Sequence, residues 1–181
     1  MTIKVLALDL ESTLITNVIN RKARPGLSEF LRFCLDSFEK VVIFTGTTEE
    51  LALSVFSELD EIGLIPDDFL ARTNLIDWDG WYKDLRFIEG YTPAEILIVD
   101  DFVDYILPEQ KSQWIRCRPY LPEGEDRWIQ SKEKPVYLKF FRCPSSQQSF
   151  RLPPQGTPTW LTKDIYTGNI VNFLNQFREV L

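Results

Sequence analysis

Leu6-Ala7-Leu8-Asp9-Leu10-Glu11-Ser12-Thr13-Leu14 is an apolar run that ends in two carboxylates followed by two hydroxyl residues. The apolar residues up to Leu8 predict a buried strand, and the acids fall where this strand must end. Side chains two residues apart on extended backbone share a face, so Asp9 and Glu11 would point at one ligand if the extension continued. Two crowded carboxylates repel each other unless a cation or a shared proton compensates them. By itself the stretch is compatible with a chemical site and with a solvated acidic turn.

The composition is typical of one globular domain. The chain has 181 residues, 44% of them apolar, which is enough for one substantial core and short for two. Its net charge of -7 makes nucleic acid and anionic membranes unlikely partners, because both require a basic surface. Neither a signal peptide nor an apolar run of membrane-spanning length is recognisable. The three cysteines are scattered and form no disulfide or zinc pattern, so we expect a cytoplasmic protein; the sequence leaves its oligomeric state unknown.

The chain contains no histidine. This excludes Ser-His-Asp and Cys-His catalysis, His-ligated zinc and imidazole acid–base chemistry. Any reaction must therefore use carboxylates, hydroxyls, lysine or a hard metal.

Hydrophobic patterns predict an α/β fold, a Rossmann-like three-layer sandwich with a mostly parallel central sheet. Short apolar runs predict further strands at residues 41–44, 96–99 and 113–117. Apolar steps of three and four predict a helix over residues 27–38, with Pro25 in its first turn.

A second helix is expected after Gly46, with a capping box formed by Thr47 and Glu50. Its predicted buried stripe consists of Leu51, Val55 and Leu59, flanked by Ala52 and Phe56. Further along the chain, we expect an irregular segment at 66–75, an Asp-Gly hairpin at 76–82 and a short helix at 83–88.

Residues 119–181 differ in character from residues 1–118. Seven of the eleven prolines lie there, which favours extended, turn-rich structure. An edge strand is predicted at 136–141 and an amphipathic helix over 170–180. We expect this extension to pack on the 1–118 core, so that residues 1–181 form a single domain.

Reactive side chains follow three of the predicted strands, namely Asp9, Thr45 and the pair Asp100-Asp101. The carboxyl ends of parallel strands meet in one crevice, which is where such folds bind ligands. Each residue alone has a simpler explanation, as a helix cap or a solvated turn. Their joint occurrence favours a site.

Phosphoryl transfer through an aspartyl-phosphate fits this set of residues. Asp9 would attack phosphorus, since carboxylates are established covalent nucleophiles. The transition state spreads negative charge over three oxygens, which Thr45, nearby backbone N–H groups and Lys83 would stabilise. Asp9 and the Asp100-Asp101 pair would hold Mg²⁺, a hard cation that takes oxygen ligands.

These motifs resemble the haloacid dehalogenase (HAD) superfamily of phosphohydrolases. More narrowly, the sequence resembles its NLI-interacting-factor branch, the phosphatases that act on the C-terminal domain of RNA polymerase II. The resemblance covers about the first two-thirds of the chain and rests on five motifs: Leu8-Asp9-Leu10-Glu11-Ser12-Thr13-Leu14, Arg24-Pro25-Gly26-Leu27-Ser28-Glu29-Phe30-Leu31, Val42-Ile43-Phe44-Thr45, Tyr82-Lys83-Asp84-Leu85 and Ile98-Val99-Asp100-Asp101.

The resemblance implies a role for each site residue. Asp9 would be the nucleophile, and Glu11 the general acid/base with its backbone carbonyl as a metal ligand. Asp101 would ligate the metal directly, while Asp100 would bond Lys83 or a metal-bound water. The implied phosphate-binding residues are Thr45, Gly46 and Lys83, and Asp104 is held in reserve as a supporting acid.

Three hypotheses about function stay open. The segments between the motifs are too short for a large cap domain, which the resemblance connects with open sites and with phosphoserine or phosphothreonine in proteins. A small-metabolite phosphatase is the alternative if residues 119–160 close the pocket. A weakly active binding module is the third, because Glu11 stands where the family pattern has Asp, and Phe102-Val103 replaces its Ser-Pro.

Overall fold

Five parallel strands form the centre of the structure, a computed structural model that describes residues 2–78 and 80–121. The strands are β1 (Val5–Leu8), β2 (Lys40–Ile43), β3 (Thr73–Leu75), β4 (Ile96–Asp100) and β5 (Trp114–Arg116). Their order in the sheet is β3-β2-β1-β4-β5. In the central strand, Val5 is in register with Lys40 of β2 on one side and with Ile96 of β4 on the other. The parallel sheet and its flanking helices confirm the predicted α/β fold.

Alternate residues of each strand face opposite layers of the core. On one face, Leu6 and Leu8 pack with the apolar side chains of three helices, α1 (Leu27–Ser37), α2 (Glu49–Glu61) and α3 (Phe69–Arg72). On the other face, Val5 and Ala7 pack against residues of irregular and 3₁₀ segments, among them Leu85, Ile88 and Ile106. Because β1 is buried on both faces, its sequence is a continuous apolar run rather than an alternation.

The direction of chain winding reverses between β1 and β4. From β1 the chain proceeds outward through β2 to β3, then returns to the other side of β1 to form β4 and β5. The crevice at the carboxyl end of the strands on either side of such a reversal is the usual ligand site of open α/β sheets. Asp9 and the Asp100-Asp101 pair lie at that reversal.

Within the described residues, most predicted elements are confirmed within one or two residues, but the residues that flank the start of each long helix differ from expectation. Gly26 precedes α1 with φ 80°, so Pro25 lies before the helix and not in its first turn. The predicted capping box is wrong, because α2 begins at Glu49 with Thr48 as N-cap and no side-chain cap bond. The predicted buried stripe of α2 is confirmed except for Leu51, which is 43% exposed; the buried residues of the helix are Ala52, Val55, Phe56 and Leu59.

Two predictions between β2 and Lys83 are also wrong. Residues 66–75 contain α3 and β3, whose few apolar positions gave no clear periodicity. The described part of residues 76–82 contains no strand, so the Asp-Gly hairpin is not formed there. The Trp78 ring instead packs edge-on against the Phe44 ring, with 5.7 Å between the ring centroids.

The predictions for the end of the chain fall outside the described residues. These are the edge strand at 136–141, the helix over 170–180 and the packing of residues 122–181 on the core, so the single-domain organisation stays a prediction. Within the described residues, no helix is long and apolar enough to cross a membrane.

Candidate active site

A buried lysine joins the ends of the two central strands. The Lys83 Nζ donates hydrogen bonds to Asp9 Oδ1 at 2.7 Å and to Asp100 Oδ2 at 2.6 Å. Its side chain is 1% exposed, and the two carboxylates are also buried. Burial lowers the pKa of Lys83, but the two carboxylates outweigh burial and the pKa is raised, which keeps the ammonium charged.

Backbone hydrogen bonds fix the three members of this bridge. The N–H of Asp9 donates to the carbonyl of Val99 at 3.0 Å, which ties the end of β1 to β4. The N–H of Lys83 donates to the carbonyl of Tyr105 at 2.7 Å, which brings an otherwise irregular segment to the sheet edge. The Asp100 Oδ1 accepts from the N–H of Phe102 at 2.7 Å, so both oxygens of Asp100 are engaged.

Asp101 completes a cluster of three acids. Asp9, Asp100 and Asp101 each present a carboxylate oxygen within 4.8 Å of the others. Burial, with the charges of Asp9 and Asp100, raises the pKa of Asp101 to about 8. Burial and the charge of Asp9 raise the pKa of Asp100 to about 6, against the opposing effect of Lys83. Burial is the largest cause of both pKa shifts, and neighbouring carboxylate charge adds to it.

The acid cluster fits a hard divalent cation. When all three acids are ionised, they carry two negative charges more than Lys83 compensates, and a single divalent ion would neutralise these. All the clustered donors are carboxylate oxygens, the ligand type that Mg²⁺ prefers. The side chain of Asp104 is exposed on the following 3₁₀ turn and is not part of the cluster.

Thr45 and Gly46 lie after β2, on the same edge of the sheet. Thr45 is 5% exposed, its hydroxyl accepts a hydrogen bond from the N–H of Thr47 at 3.2 Å, and its carbonyl accepts from Trp78 Nε1 at 2.8 Å. Gly46 is exposed, and a Cβ added there would meet only Trp78, at 4.0 Å. The backbone at Gly46 is therefore open to an approaching ligand.

The Glu11 carboxylate lies apart from the clustered acids. Its Oε1 accepts from the N–H of Val18 at 3.0 Å, and its Oε2 accepts from the Thr47 hydroxyl at 2.9 Å. β1 ends at Leu8, and the carboxylate cluster formed by Asp9, Asp100 and Asp101 does not include Glu11, so the two acids after β1 are not brought to one cluster. The predicted role of the Glu11 backbone carbonyl in metal binding stays a prediction.

Sequence reasoning missed the residues that support the site. The sequence pattern predicts Thr47 as a helix cap, whereas its hydroxyl donates to Glu11. It predicts Trp78 as part of a hairpin, whereas its indole N–H donates to the carbonyl of Thr45. A hydroxyl two residues after Thr45 was the available signal for Thr47. No local pattern indicates Val18, because it contacts Glu11 through its backbone N–H, which any residue except proline could supply.

Comparison with known proteins gives one family. The family model for NLI interacting factor-like phosphatases matches residues 4–137, which is more than half of the chain. No curated protein matches the sequence at a significant level.

Proposed function

The chain belongs to the NLI interacting factor-like phosphatase family and is a phosphatase of the haloacid dehalogenase type, and on that premise we propose that it hydrolyses phosphomonoesters through an aspartyl-phosphate on Asp9. The proposed cofactor is Mg²⁺, and the proposed substrates are phosphoserine or phosphothreonine in proteins, or another accessible phosphorylated macromolecule.

The observation that carries this proposal is the Lys83 bridge. A nucleophilic carboxylate must stay ionised and correctly oriented beside other acids, and Lys83 bonds Oδ1 of Asp9 while also pairing with Asp100. Attack is then assigned to Oδ2 of Asp9. The ammonium is also a fixed positive charge for the phosphoryl oxygens, whose negative charge such sites must stabilise.

The reaction divides into two displacements at phosphorus. In the first, a bond forms between Oδ2 of Asp9 and phosphorus, the bond to the leaving oxygen breaks, and Glu11 donates a proton to that oxygen. In the second, Glu11 accepts a proton from water, the water oxygen bonds phosphorus, and the bond to Asp9 breaks to release phosphate. Thr45, Gly46 and Lys83 bind the phosphoryl oxygens in both steps.

The residues proposed to hold Mg²⁺ are Asp9, Asp100 and Asp101 through carboxylate oxygens, together with the backbone carbonyl of Glu11. When bound, the ion would neutralise charge on the phosphoryl group and on the crowded acids. The clustering of three carboxylate oxygens within 4.8 Å of one another supports this assignment.

The proposed substrate class is supported by the accessibility of the site. In the described residues, the segment between Asp9 and Thr45 contains α1, β2 and loops, and the segment between Thr45 and Lys83 contains α2, α3, β3 and loops. Gly46, Tyr82 and Phe102, which neighbour the site residues in the chain, are all exposed. The described residues therefore contain no cap domain over the carboxyl edge of the sheet, which favours a phosphate carried on a protein surface as the substrate.

Phosphate release from a phosphoserine peptide, a sugar phosphate and phenyl phosphate tests this proposal. We expect turnover to require Mg²⁺ and to stop when a chelator is added. The value of kcat/KM should be highest with the peptide. Asp9→Asn should lower kcat by at least about 10³-fold, because the nucleophile is lost. Asp104→Asn is the matched control, an exposed acid on a neighbouring turn, and should leave kcat unchanged.

Four outcomes would contradict parts of the proposal. Full activity in Asp9→Asn would exclude the covalent mechanism. Metal-independent turnover would exclude the assigned cofactor. Preference for the sugar phosphate would favour the small-metabolite alternative. Absence of turnover in the parent with activity in Glu11→Asp would favour the weakly active binding module.

A further inference from the structure

The Glu11 side chain is held by two segments that are distant in sequence. The Thr47 hydroxyl at the start of the β2–α2 connection donates to Oε2 at 2.9 Å, and the N–H of Val18 donates to Oε1 at 3.0 Å. Each oxygen of a carboxyl group can accept a hydrogen bond in both the ionised and the protonated form, so one donor on each oxygen fixes both the position and the plane of the group. Glutamate has three side-chain torsions, and without such bonds it would populate several rotamers.

Thr47 has no role in helix capping that would explain its side chain. The N-cap of α2 is Thr48, which makes no side-chain cap bond, and the Thr47 hydroxyl is directed to Glu11 instead. The backbone of Thr47 meanwhile donates from its N–H to the Thr45 hydroxyl at 3.2 Å. Thr47 therefore contacts two residues of the candidate site, one through its side chain and one through its backbone.

We propose that Thr47 is a positioning residue that sets the geometry of Glu11 for proton transfer; the proposal rests on the function proposed above. Proton donation requires the carboxyl group within hydrogen-bond reach of the leaving oxygen. An error of about 1 Å in such a position can cost on the order of 10²-fold in rate. The Thr47 hydroxyl supplies the side-chain half of that constraint, and the Val18 N–H supplies the backbone half.

The test compares two substrates that differ in their need for a proton. Phenoxide is a poor leaving group and requires protonation, whereas dinitrophenoxide leaves without it. The measured quantity is kcat/KM, which reports the steps up to the first displacement and excludes hydrolysis of the aspartyl-phosphate. The variants are Thr47→Val, which keeps the shape but removes the hydroxyl, Thr47→Ser, which keeps the hydroxyl, and Thr48→Val as the neighbouring control.

We expect Thr47→Val to lower kcat/KM for phenyl phosphate by about 10- to 100-fold and for dinitrophenyl phosphate by less than about threefold. Thr47→Ser and Thr48→Val should stay within about threefold of the parent on both substrates. The double variant Thr47→Val with Glu11→Gln should lose little more kcat/KM for phenyl phosphate than Glu11→Gln alone, because both changes remove the same proton donation by Glu11.

Several results would overturn this role. An equal loss on both substrates would mean that Thr47 supports the fold or the phosphate instead. No loss on phenyl phosphate, a Thr47→Ser variant as slow as Thr47→Val, or additive losses with Glu11→Gln would each remove the coupling to Glu11. Activity in the parent together with an inactive Asp9→Asn would support the proposed function. If the Thr47 results then fail, only the positioning role is wrong. If Asp9→Asn remains active, the proposed function itself fails.

Discussion

Lys83 is the residue on which the candidate site depends most. Its ammonium is buried between Asp9 and Asp100, and its Nζ also lies 5.8 Å from the centroid of the Tyr105 ring. A buried ion pair contributes little net stability compared with an apolar replacement of all its members. Removing only one partner is costly, because the remaining charge is left buried and uncompensated. The arrangement therefore links the fold to the candidate nucleophile.

We expect Lys83→Met to lower the free energy of unfolding by about 3–5 kcal/mol in chelator, since two buried carboxylates lose their cation. Urea unfolding measures this change. Lys83→Met combined with Asp100→Asn should recover part of the loss, because one buried charge is removed. Lys111→Met, at an exposed lysine, is the control and should stay within about 0.5 kcal/mol of the parent. A Lys83→Met protein as stable as that control would contradict the bridge.

At the residue scale, the sequence indicated the site residues that follow strands and little of what supports them. Asp9, Thr45 and Asp100 could be located because each ends an apolar run. Lys83 follows no strand, and apart from the family resemblance it would pass for a surface lysine. Its burial is a consequence of tertiary contacts, including the hydrogen bond to the carbonyl of Tyr105. Local patterns do not encode such contacts.

Backbone and side-chain hydrogen bonds order the loop of residues 10–24, which lies between β1 and α1. It folds back on itself through paired backbone hydrogen bonds, such as Thr16 N–H to the carbonyl of Lys22 at 3.0 Å. Arg24 anchors its base by donating to the carbonyls of Thr13 at 2.7 Å and Ser12 at 2.9 Å. The same guanidinium donates to the carbonyl of Arg118 at 2.7 Å, which ties the loop to the segment after β5.

Arg24 is 4% exposed, and we expect its replacement to weaken this anchor. Arg24→Met should lower the free energy of unfolding by about 2–3 kcal/mol, because three carbonyls lose charged donors. Arg24→Lys should recover little, since an ammonium cannot reproduce the planar arrangement of donors. Denaturant unfolding measures both, with Arg116→Met as a control at an exposed arginine. If Arg24→Lys were as stable as the parent, a positive charge alone would be sufficient to anchor the loop, and the proposed need for a planar set of donors would be contradicted.

At the element scale, length and burial explain which predictions failed. The strands β1, β2 and β4 are buried and apolar, and their runs were recognisable. The edge strand β3 has three residues, none of them fully buried, and its pattern resembles a loop. The N-cap of α2 was predicted one residue too early, because Thr47 and Thr48 are both acceptable caps. The predicted capping box does not form, and the Thr47 hydroxyl contacts Glu11 instead.

At the scale of the whole molecule, the winding of the sheet brings the reactive groups together. Parallel strands predict that the groups after them share one edge, but strand order determines which of them are neighbours. Because β1 lies between β2 and β4, Asp9 is flanked by the residues that follow both. The pattern of apolar runs specified the strands without specifying this order, which depends on the chain returning across the sheet after β3.

The central claim is that Asp9 becomes phosphorylated during turnover. The most direct measurement is a single-turnover reaction of the full chain with phenyl phosphate and Mg²⁺, quenched in acid and reduced with borohydride, which converts a phosphorylated aspartate to homoserine. Peptide mapping by mass spectrometry should then find homoserine at position 9, and none without substrate or in Asp9→Asn. Homoserine at position 100 or 101, or phosphate release without homoserine at any aspartate, would contradict the claim.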